Sequence, residues 1–169
     1  ELTGNIAEAE EIIEDAPTIE GNALIKARYV KKHYGYDCFA DDTGLEVEAL
    51  NGAPGVFTAR YGGPEKDAQQ NMNYLMDKLE KVGALETSER GARFRTAIHL
   101  IINGQEVGLE GVCSGHIAPI QSGTAGFGYD PVFIPKGEDR TFSEMSAEEK
   151  NSMSHRGSAI RSMLEYLGV

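Results

Sequence analysis

Two adjacent carboxylates, Asp41 and Asp42, follow a short apolar run at residues 38–40 and precede Thr43 and a glycine. Two acidic side chains at the end of such a run are costly unless a cation offsets their charge. At a junction between a strand and a turn both could bend toward one ion, and Mg²⁺ prefers a few carboxylate oxygens together with water and phosphate. Asp-Thr-Gly is also ordinary turn chemistry, so the doublet alone leaves a turn and a metal site open.

Charged residues elsewhere could complement such a site. Glu14 lies in an acidic segment, and Lys26 lies on the polar face of a predicted helix. Arg60 follows a proline-glycine loop that would present its guanidinium group to a phosphate. Each of the three is equally explained as a solvated surface charge when it is taken singly.

A glycine-rich segment at residues 123–131 could contact a ligand. Its three glycines let the backbone approach a ligand closely, and Phe127 between two of them is free to stack on a planar ring. Asp130 could accept a hydrogen bond from a base or could close a turn before Pro131. The alternative for the whole segment is a flexible connector to a strand.

Three possible hydrogen-bond donors, Lys150, His155 and Arg156, lie between two predicted helices. They could point at a carbonyl oxygen or neutralise the acidic neighbourhood of Glu148 and Glu149. With the acids, the scattered cations and the glycine-flanked aromatic ring, they form a set of groups that suits a nucleoside triphosphate. The chain lacks the pattern Gly-x-x-x-x-Gly-Lys-Ser/Thr, so we expect its phosphate binding to differ from that of P-loop enzymes.

Four helices are predicted to position these groups. Thr18 can cap the first, whose apolar stripe includes Ala23 and leaves Lys26 outside. Pro64 can begin the second, and Ser146 begins the third with capping-box spacing. The last carries four apolar side chains on one face, interpreted mostly as core: Ile160, Met163, Leu164 and Leu167.

Strands are predicted at residues 38–40, 45–50, 93–102, 106–117 and 131–134. The dipeptide Asn103-Gly104 between the two longest is the strongest short signal for a β-hairpin. Helices combined with a long hairpin predict an α/β sandwich with a mixed sheet rather than a purely parallel one.

The composition narrows the class of protein. The chain has 169 residues, 40% of them hydrophobic and 25% charged, which fits one soluble globular domain. Its net charge of −11 argues against a nucleic-acid polymer as partner. No apolar stretch approaches the roughly 20 residues that cross a membrane. Cys38 and Cys113 form no CxxC pair, so we expect a reduced, cytoplasmic setting.

Five ordered motifs resemble the inosine/xanthosine triphosphate pyrophosphatase family, whose members hydrolyse deaminated purine nucleotides to the monophosphate and pyrophosphate. The resemblance extends from about Glu14 to the C-terminus. It implies an elongated α/β fold with a cleft between two lobes, usually as a homodimer. The motifs are Glu20-Gly21-Asn22-Ala23-Leu24-Ile25-Lys26-Ala27, Ala40-Asp41-Asp42-Thr43-Gly44-Leu45, Gly52-Ala53-Pro54-Gly55-Val56, Phe127-Gly128-Tyr129-Asp130-Pro131 and Ser154-His155-Arg156-Gly157.

The resemblance implies roles for individual residues. Asp42 resembles the catalytic acid, which is also a metal ligand, with Thr43 beside the substrate. Glu14 matches the second metal-binding acid, the metal being Mg²⁺, and Lys26 and Arg60 match phosphate contacts. The residues that match the segments around the base are Phe127, Gly128, Tyr129, Asp130, Lys150, His155 and Arg156.

The sequence departs from the family pattern at its start. The family opens with a strand and a Thr/Ser-x-Asn-x-x-Lys loop that grips the triphosphate, whereas here Thr3 and Asn5 are followed by Glu8 instead of lysine. Residues 1–169 are therefore interpreted as one pyrophosphatase domain without that strand and loop. Either the numbered sequence begins after the segment or the protein is a truncated relative. The first is favoured, because losing a central strand would expose a sheet edge.

The motifs lead to a hypothesis of metal-assisted hydrolysis. Asp42 orients or deprotonates the water that attacks the α-phosphorus, and Asp41 only tunes its charge or adds an outer hydrogen bond. Donors from His155 and Arg156 suit the 6-oxo group of hypoxanthine or xanthine, whereas the amino group of adenine would leave them unpaired. The alternatives are a catalytically silent nucleotide-binding protein and a general metal-dependent phosphohydrolase.

Overall fold

Helices and strands form one α/β structure in the computed structural model, which describes residues 12–169. The α/β class predicted from the sequence is confirmed. Within the described part of the chain, every helix is too short or too polar to span a membrane. The helices are α1 (Ile19–Tyr34), α2 (Ala68–Lys81), α3 (Ala147–Met153) and α4 (His155–Leu167). The strands are β1 (Cys38–Val47), β2 (Pro54–Gly55), β3 (Gly91–Ile102), β4 (Gln105–Ile117) and β5 (Phe133–Pro135).

The five strands form one sheet in the order β2-β1-β3-β4-β5. All four pairings between described strands are antiparallel, so the predicted mixed sheet has no parallel pair within residues 12–169. The predicted hairpin is confirmed: Asn103 and Gly104 both have positive φ and join β3 to β4. A two-residue turn of this kind makes the strands that it joins antiparallel.

The acidic doublet lies inside a strand and not at a turn, which corrects the prediction of separate strands at residues 38–40 and 45–50. Strand β3 runs alongside β1 without a break and pairs Asp42 with Ala97 and Gly44 with Arg95. Gly44 fits here because a Cβ at this position would lie 3.0 Å from the carbonyl oxygen of Gly55. Strand β1 ends at Val47, and a single 3₁₀ turn follows.

Alternation along β1 sends neighbouring side chains to opposite faces of the sheet. Asp42 lies on the face covered by α1, where its strand partner Ala97 packs with Ile19 and Ala23. Asp41 lies on the other face, which is covered by α2 and α4. Its strand partner Ile98 packs there with apolar side chains of α4, namely Ala159 and Met163.

Two helices differ from their predictions. Helix α2 begins at Ala68 instead of Pro64, because the side chain of Asp67 accepts a hydrogen bond from the backbone N–H of Gln70 and caps the helix there. In α4 only part of the predicted apolar face is core. Met163 is buried, whereas Leu164 and Leu167 are exposed. The side of α4 that packs on the sheet is therefore formed by Ala159 and Met163.

Helix α4 lies against β4 at Gly111. A Cβ at this position would overlap the carbonyl oxygen of His155 and the backbone nitrogen of Ala159. Glycine is thus required by the close approach of helix and sheet. Ser154 caps the same end of α4 by accepting a hydrogen bond from the N–H of Gly157 at 3.1 Å. Together these contacts fix the positions of His155 and Arg156, the first two residues of α4.

Candidate active site

Two adjoining cavities contain almost all of the predicted site residues. The first, which we call the carboxylate cavity, has a volume of about 730 Å³. The side chains that give it its character are Glu14, Asn22, Lys26, Asp42 and Arg60. It lies at the α1 face of the sheet, so the charged groups scattered along the first 60 residues converge on one space.

Asp42 is held by three groups in the carboxylate cavity. Its Oδ2 atom accepts a hydrogen bond from the Asn22 amide at 3.1 Å, and its Oδ1 atom accepts one from the backbone N–H of Thr43 at 3.0 Å. Lys26 Nζ lies 3.7 Å from Oδ1. Burial raises the pKa of the Asp42 carboxyl above its usual value, while Lys26 and Asn22 oppose that shift. The carboxylate is thereby fixed in direction and made more basic.

The two carboxylates beside Lys26, those of Glu14 and Asp42, could bind a hard cation. Lys26 Nζ donates to Glu14 Oε2 at 3.2 Å while it lies 3.7 Å from Asp42, so one ammonium group already bridges two carboxylates. Two carboxylates leave most of a coordination shell to water and phosphate, as Mg²⁺ prefers. Among residues 12–169 no group of three or more acidic, histidine or cysteine side chains could hold a metal ion by itself. A metal held by these two described carboxylates would therefore need further ligands, such as water and phosphate oxygens.

Arg60 lines the carboxylate cavity from the 3₁₀ turn Thr58–Arg60. Its guanidinium carbon lies 5.3 Å from the centre of the Phe57 ring, and no carboxylate of the described residues pairs with it. A cation that keeps its charge unpaired at a cavity wall is available to an anionic ligand.

The second space, which we call the aromatic cavity, has a volume of about 420 Å³. It lies on the opposite face of the sheet, between the first turns of α2 and α4. Rings provide much of its wall: Phe94, Phe127, Tyr129 and His155. Planar apolar walls with a few polar groups are typical of a site for a flat ring system.

Phe127 is presented to the solvent with two cations near it. The ring is 66% exposed, with Lys150 Nζ 4.5 Å and Arg156 Cζ 6.0 Å from its centre. Lys150 is the one predicted site residue that lines neither cavity, and its Nζ donates to the buried Asp130 at 2.5 Å. The same Oδ2 atom of Asp130 accepts a hydrogen bond from the backbone N–H of Phe127 at 2.8 Å. Asp130 and Lys150 thus fix the loop that carries the exposed ring.

The glycines of this loop serve the protein's own packing. Gly126 has φ of +81°, and a Cβ there would overlap the carboxylate of Asp130. Tyr129 is buried, and its hydroxyl donates to the carbonyl oxygen of Thr58 at 2.8 Å. The close approach that the sequence assigns to a ligand is therefore made, at Gly126, by an internal carboxylate. Gly128 lines the cavity with φ of +61° and open space where a Cβ would lie.

His155 is buried with its ring stacked on Phe94, the ring centres being 4.5 Å apart. Its Nδ1 atom has no hydrogen-bond partner among the described residues. Burial, together with the positive charges of Arg156 and Lys150, lowers the pKa of His155 to about 3. The imidazole is therefore neutral at physiological pH, and its buried Nδ1 atom stays unsatisfied within residues 12–169.

Thr43 joins the two cavities, since it lines both together with Ala59 and Lys66. Its hydroxyl lies 2.7 Å from the hydroxyl of the buried Thr96, with which it shares a hydrogen bond. A ligand that extends past Thr43 could occupy both cavities at once.

Several site residues are absent from the sequence-based prediction. Asn22 belongs to the first quoted motif, and a polar side chain next to the apolar stripe of α1 is a signal that could have identified it. Lys66 has φ of +57° in an exposed loop, and nothing in its local sequence distinguishes it from other surface lysines. Phe94 and Thr96 face inward from β3, where the alternation of the strand indicates only core.

Comparison with known proteins shows the family. The Ham1 family model matches residues 1–166. The chain belongs to the Ham1 family. A dITP/XTP pyrophosphatase of Christiangramia forsetii is 51% identical over 158 residues, which cover 94% of this chain and 80% of the relative. A dITP/XTP pyrophosphatase of Flavobacterium johnsoniae is 49% identical over 158 residues, with the same coverage of both chains.

A solved structure agrees with the Ham1 assignment. The HAM1 protein from Coxiella burnetii superimposes with a TM-score of 0.87 at 38% sequence identity, covering 94% of this chain and 81% of that one. The resemblance that the five motifs indicate is thereby confirmed. The roles of individual residues stay predictions, and residues 3–8, where the phosphate-loop pattern fails, lie outside the described part of the chain.

Proposed function

We propose that this Ham1 protein hydrolyses deaminated purine nucleoside triphosphates, such as ITP, dITP and XTP, to the monophosphate and pyrophosphate. One observation carries the proposal. A cavity with carboxylates and cations and a cavity with aromatic walls meet at Thr43, which suits a ligand with a charged end and a flat ring. The names of the dITP/XTP pyrophosphatase relatives support the same substrate class.

The triphosphate would occupy the carboxylate cavity. Lys26 and Arg60 supply positive charge to a substrate that the net charge of −11 would otherwise repel. A divalent cation, which we propose to be Mg²⁺, would be held by Glu14 and Asp42 and would neutralise phosphate charge when bound. Lys26 and Arg60 would also offset the charge of the leaving pyrophosphate.

Asp42 is the proposed catalytic residue. Its Oδ1 and Oδ2 atoms are fixed by Thr43 and Asn22, so the carboxylate is already oriented before a substrate binds. The raised pKa that burial gives it makes it a better acceptor for a proton from water. Asp42 would orient that water and take its proton as the oxygen attacks the α-phosphorus.

The base would occupy the aromatic cavity, stacked on Phe127. Neutral His155 and charged Arg156 would face its 6-position, with Gly128, Tyr129 and Asp130 forming the wall beside it. A 6-oxo group accepts hydrogen bonds from these donors, whereas the 6-amino group of adenine leaves them unpaired. Hypoxanthine and xanthine are the deaminated bases that carry this oxygen.

The test of the proposal is product analysis. The purified protein is incubated with Mg²⁺ and, separately, with ITP, XTP, dITP, ATP and GTP, and nucleotides and phosphates are separated by ion-exchange chromatography. The expected products are monophosphate and pyrophosphate, formed much faster from the first three than from ATP, whose base lacks the 6-oxo group. Orthophosphate release without base preference would instead indicate a general phosphohydrolase, and binding without turnover would indicate a silent nucleotide-binding protein.

Two finer points are tested separately. Chelation of divalent metal should abolish turnover, and added Mg²⁺ should restore it. The homodimer stays a prediction that light scattering after size-exclusion chromatography can check, and the cytoplasmic setting stays a prediction from the two separate cysteines.

A further inference from the structure

Asp41, the acidic neighbour of the proposed catalytic residue, contacts the other end of the site. Its Oδ2 atom accepts hydrogen bonds from Arg156 Nε at 3.2 Å and from Arg156 Nη2 at 3.0 Å. We propose that Asp41 is a positioning residue that holds the Arg156 guanidinium at the aromatic cavity and so sets the preference for a 6-oxo purine. The inference rests on the proposed function, because it concerns how that reaction selects its base.

The pleat of β1 explains why two adjacent acidic residues, Asp41 and Asp42, contact opposite faces of the sheet. Asp42 points to the α1 face and the carboxylate cavity, while Asp41 points to the α4 face. Arg156 is the second residue of α4, and Ser154 and Gly111 fix that end of the helix. Asp41 therefore pairs with an arginine whose backbone is held in place. Because the backbone is fixed, the ion pair sets the position of the Arg156 guanidinium group in addition to neutralising its charge.

The pair leaves part of the guanidinium group free for a ligand. A guanidinium group has five N–H donors in a planar fork. Two of them bind Asp41, and the remaining three have no hydrogen-bond acceptor within residues 12–169. Because Arg156 lines the aromatic cavity and lies 6.0 Å from the Phe127 ring, a base stacked on that ring would place its edge beside these donors.

A stabilising role alone does not account for this pair. The side chains of Arg156 and Asp41 are 50% and 34% exposed, and ion pairs with this exposure contribute little to folding. Holding a long, flexible side chain in its binding conformation has a larger effect on a ligand, because the ordering is then already complete when the ligand arrives. We therefore expect the loss of Asp41 to change substrate binding and selectivity more than stability.

The test is a double-mutant cycle on steady-state pyrophosphate release from ITP and ATP. The variants are Asp41→Asn, Arg156→Ala and the double variant. We expect Asp41→Asn to raise KM for ITP about tenfold with kcat within about twofold, and to narrow the preference for ITP over ATP. In the Arg156→Ala background the same change should alter KM less than twofold, since the partner is gone.

Two further variants separate positioning from general charge effects. Asp41→Glu keeps a carboxylate within reach of Arg156 and should restore KM to within about threefold of the wild type. Glu106→Gln is the matched control. Glu106 belongs to β4 of the same sheet, and its carboxylate, 37% exposed, pairs with Arg28 of α1 at 3.1 Å. It lines neither cavity, so both KM and selectivity should stay at wild-type values.

Different failures have different meanings. If Asp41→Asn lowers kcat equally for ITP and ATP, and its effect adds to that of Arg156→Ala, Asp41 acts through Asp42 and the inference is wrong while the proposed function stands. If the wild-type protein releases no pyrophosphate from any purine triphosphate, the proposed function is wrong, and the inference with it.

Discussion

The carboxylate cavity and the aromatic cavity are built from the two faces of one strand and differ in how they hold their groups. In the first, Lys26 bridges Glu14 and Asp42, so charges already balance one another. In the second, His155 is buried and neutral, with one ring nitrogen that has no partner in the described part of the chain, and Phe127 is an exposed ring. If the proposed function is right, phosphate binding would exchange one set of charge pairs for another, whereas binding of the base would depend on the fixed shape of the cavity.

This difference has a measurable consequence. Changes in the carboxylate cavity should affect every triphosphate by the same factor, because all share the phosphates. Changes in the aromatic cavity should affect bases unequally, because bases differ only at their edges. The effect of a substitution on the ratio of kcat/KM between two substrates therefore distinguishes the two cavities better than its effect on the rate with one substrate.

The largest effect is expected for Asp42→Asn. The variant keeps the size of the side chain but removes the proton acceptor, so the rate of pyrophosphate release should fall by about 10²- to 10⁴-fold for ITP and XTP alike. Steady-state kinetics measure the rate, and circular dichroism checks the fold. Asp77→Asn removes a surface carboxylate that pairs with Lys81 on α2 and should leave the rate unchanged. Near-normal turnover in Asp42→Asn would contradict the assignment.

Lys26→Met should have the next largest effect. It removes the ammonium group that lies 3.2 Å from Glu14 and 3.7 Å from Asp42, so kcat/KM should fall about 100-fold, by the same factor for ITP and XTP. Competition assays with the two substrates measure the ratio. Lys32→Met changes an exposed lysine of the same helix and serves as control. A change of more than threefold in the ITP/XTP ratio would show that the two cavities are not independent.

His155 should make the stability of the wild-type protein depend on pH. Its pKa of about 3 in the folded state lies below the usual 6.5, so only the unfolded state gains a proton as the pH falls below 6.5. The free energy of unfolding should therefore fall by up to about 1.4 kcal/mol per pH unit, or about 2 kcal/mol between pH 6.5 and pH 5. Urea denaturation at the two pH values measures this loss. The variant His155→Asn should lack it, and equal losses in both proteins would show that the imidazole is not held neutral.

Phe127→Leu should have the smallest effect. Stacking of a base on an aromatic ring contributes about 1 to 3 kcal/mol, so KM for ITP should rise about tenfold while kcat stays nearly constant. Tyr36→Leu is the control, since that ring is 67% exposed, like the 66% of Phe127, but lines neither cavity. If both variants have the wild-type KM, the base does not stack on Phe127.

Local sequence signals predicted the elements but not all of their boundaries. The hairpin at Asn103-Gly104 and the caps at Thr18 and Ser146 are as predicted, because a few neighbouring residues determine them. The break predicted in β1 is wrong. Asp-Thr-Gly favours a turn locally, but the continuous partner strand β3 holds these residues extended, and no short window of sequence contains that partner.

Site residues that belong to short motifs could be predicted from the sequence. Contacts between residues far apart in the sequence could not, because only the tertiary fold brings such residues together. Eleven of the twelve predicted residues line the two cavities, and Lys150 contacts the loop beside them. Asp41 was expected to tune Asp42, whereas it binds Arg156, 115 positions away in the sequence. Because side chains alternate along a strand, Asp41 points away from Asp42 and toward Arg156. A turn at this position, as predicted from the sequence, does not imply that separation.

The position of two residues that line the aromatic cavity, His155 and Arg156, depends on Gly111, a residue without a side chain. A methyl group there would collide with the backbone of α4 and displace the helix end that carries His155 and Arg156. The distance between β4 and α4 at Gly111 thus sets the position of the first turn of α4, which forms one wall of the aromatic cavity. A substitution at Gly111 would therefore change the aromatic cavity, although Gly111 itself does not line it.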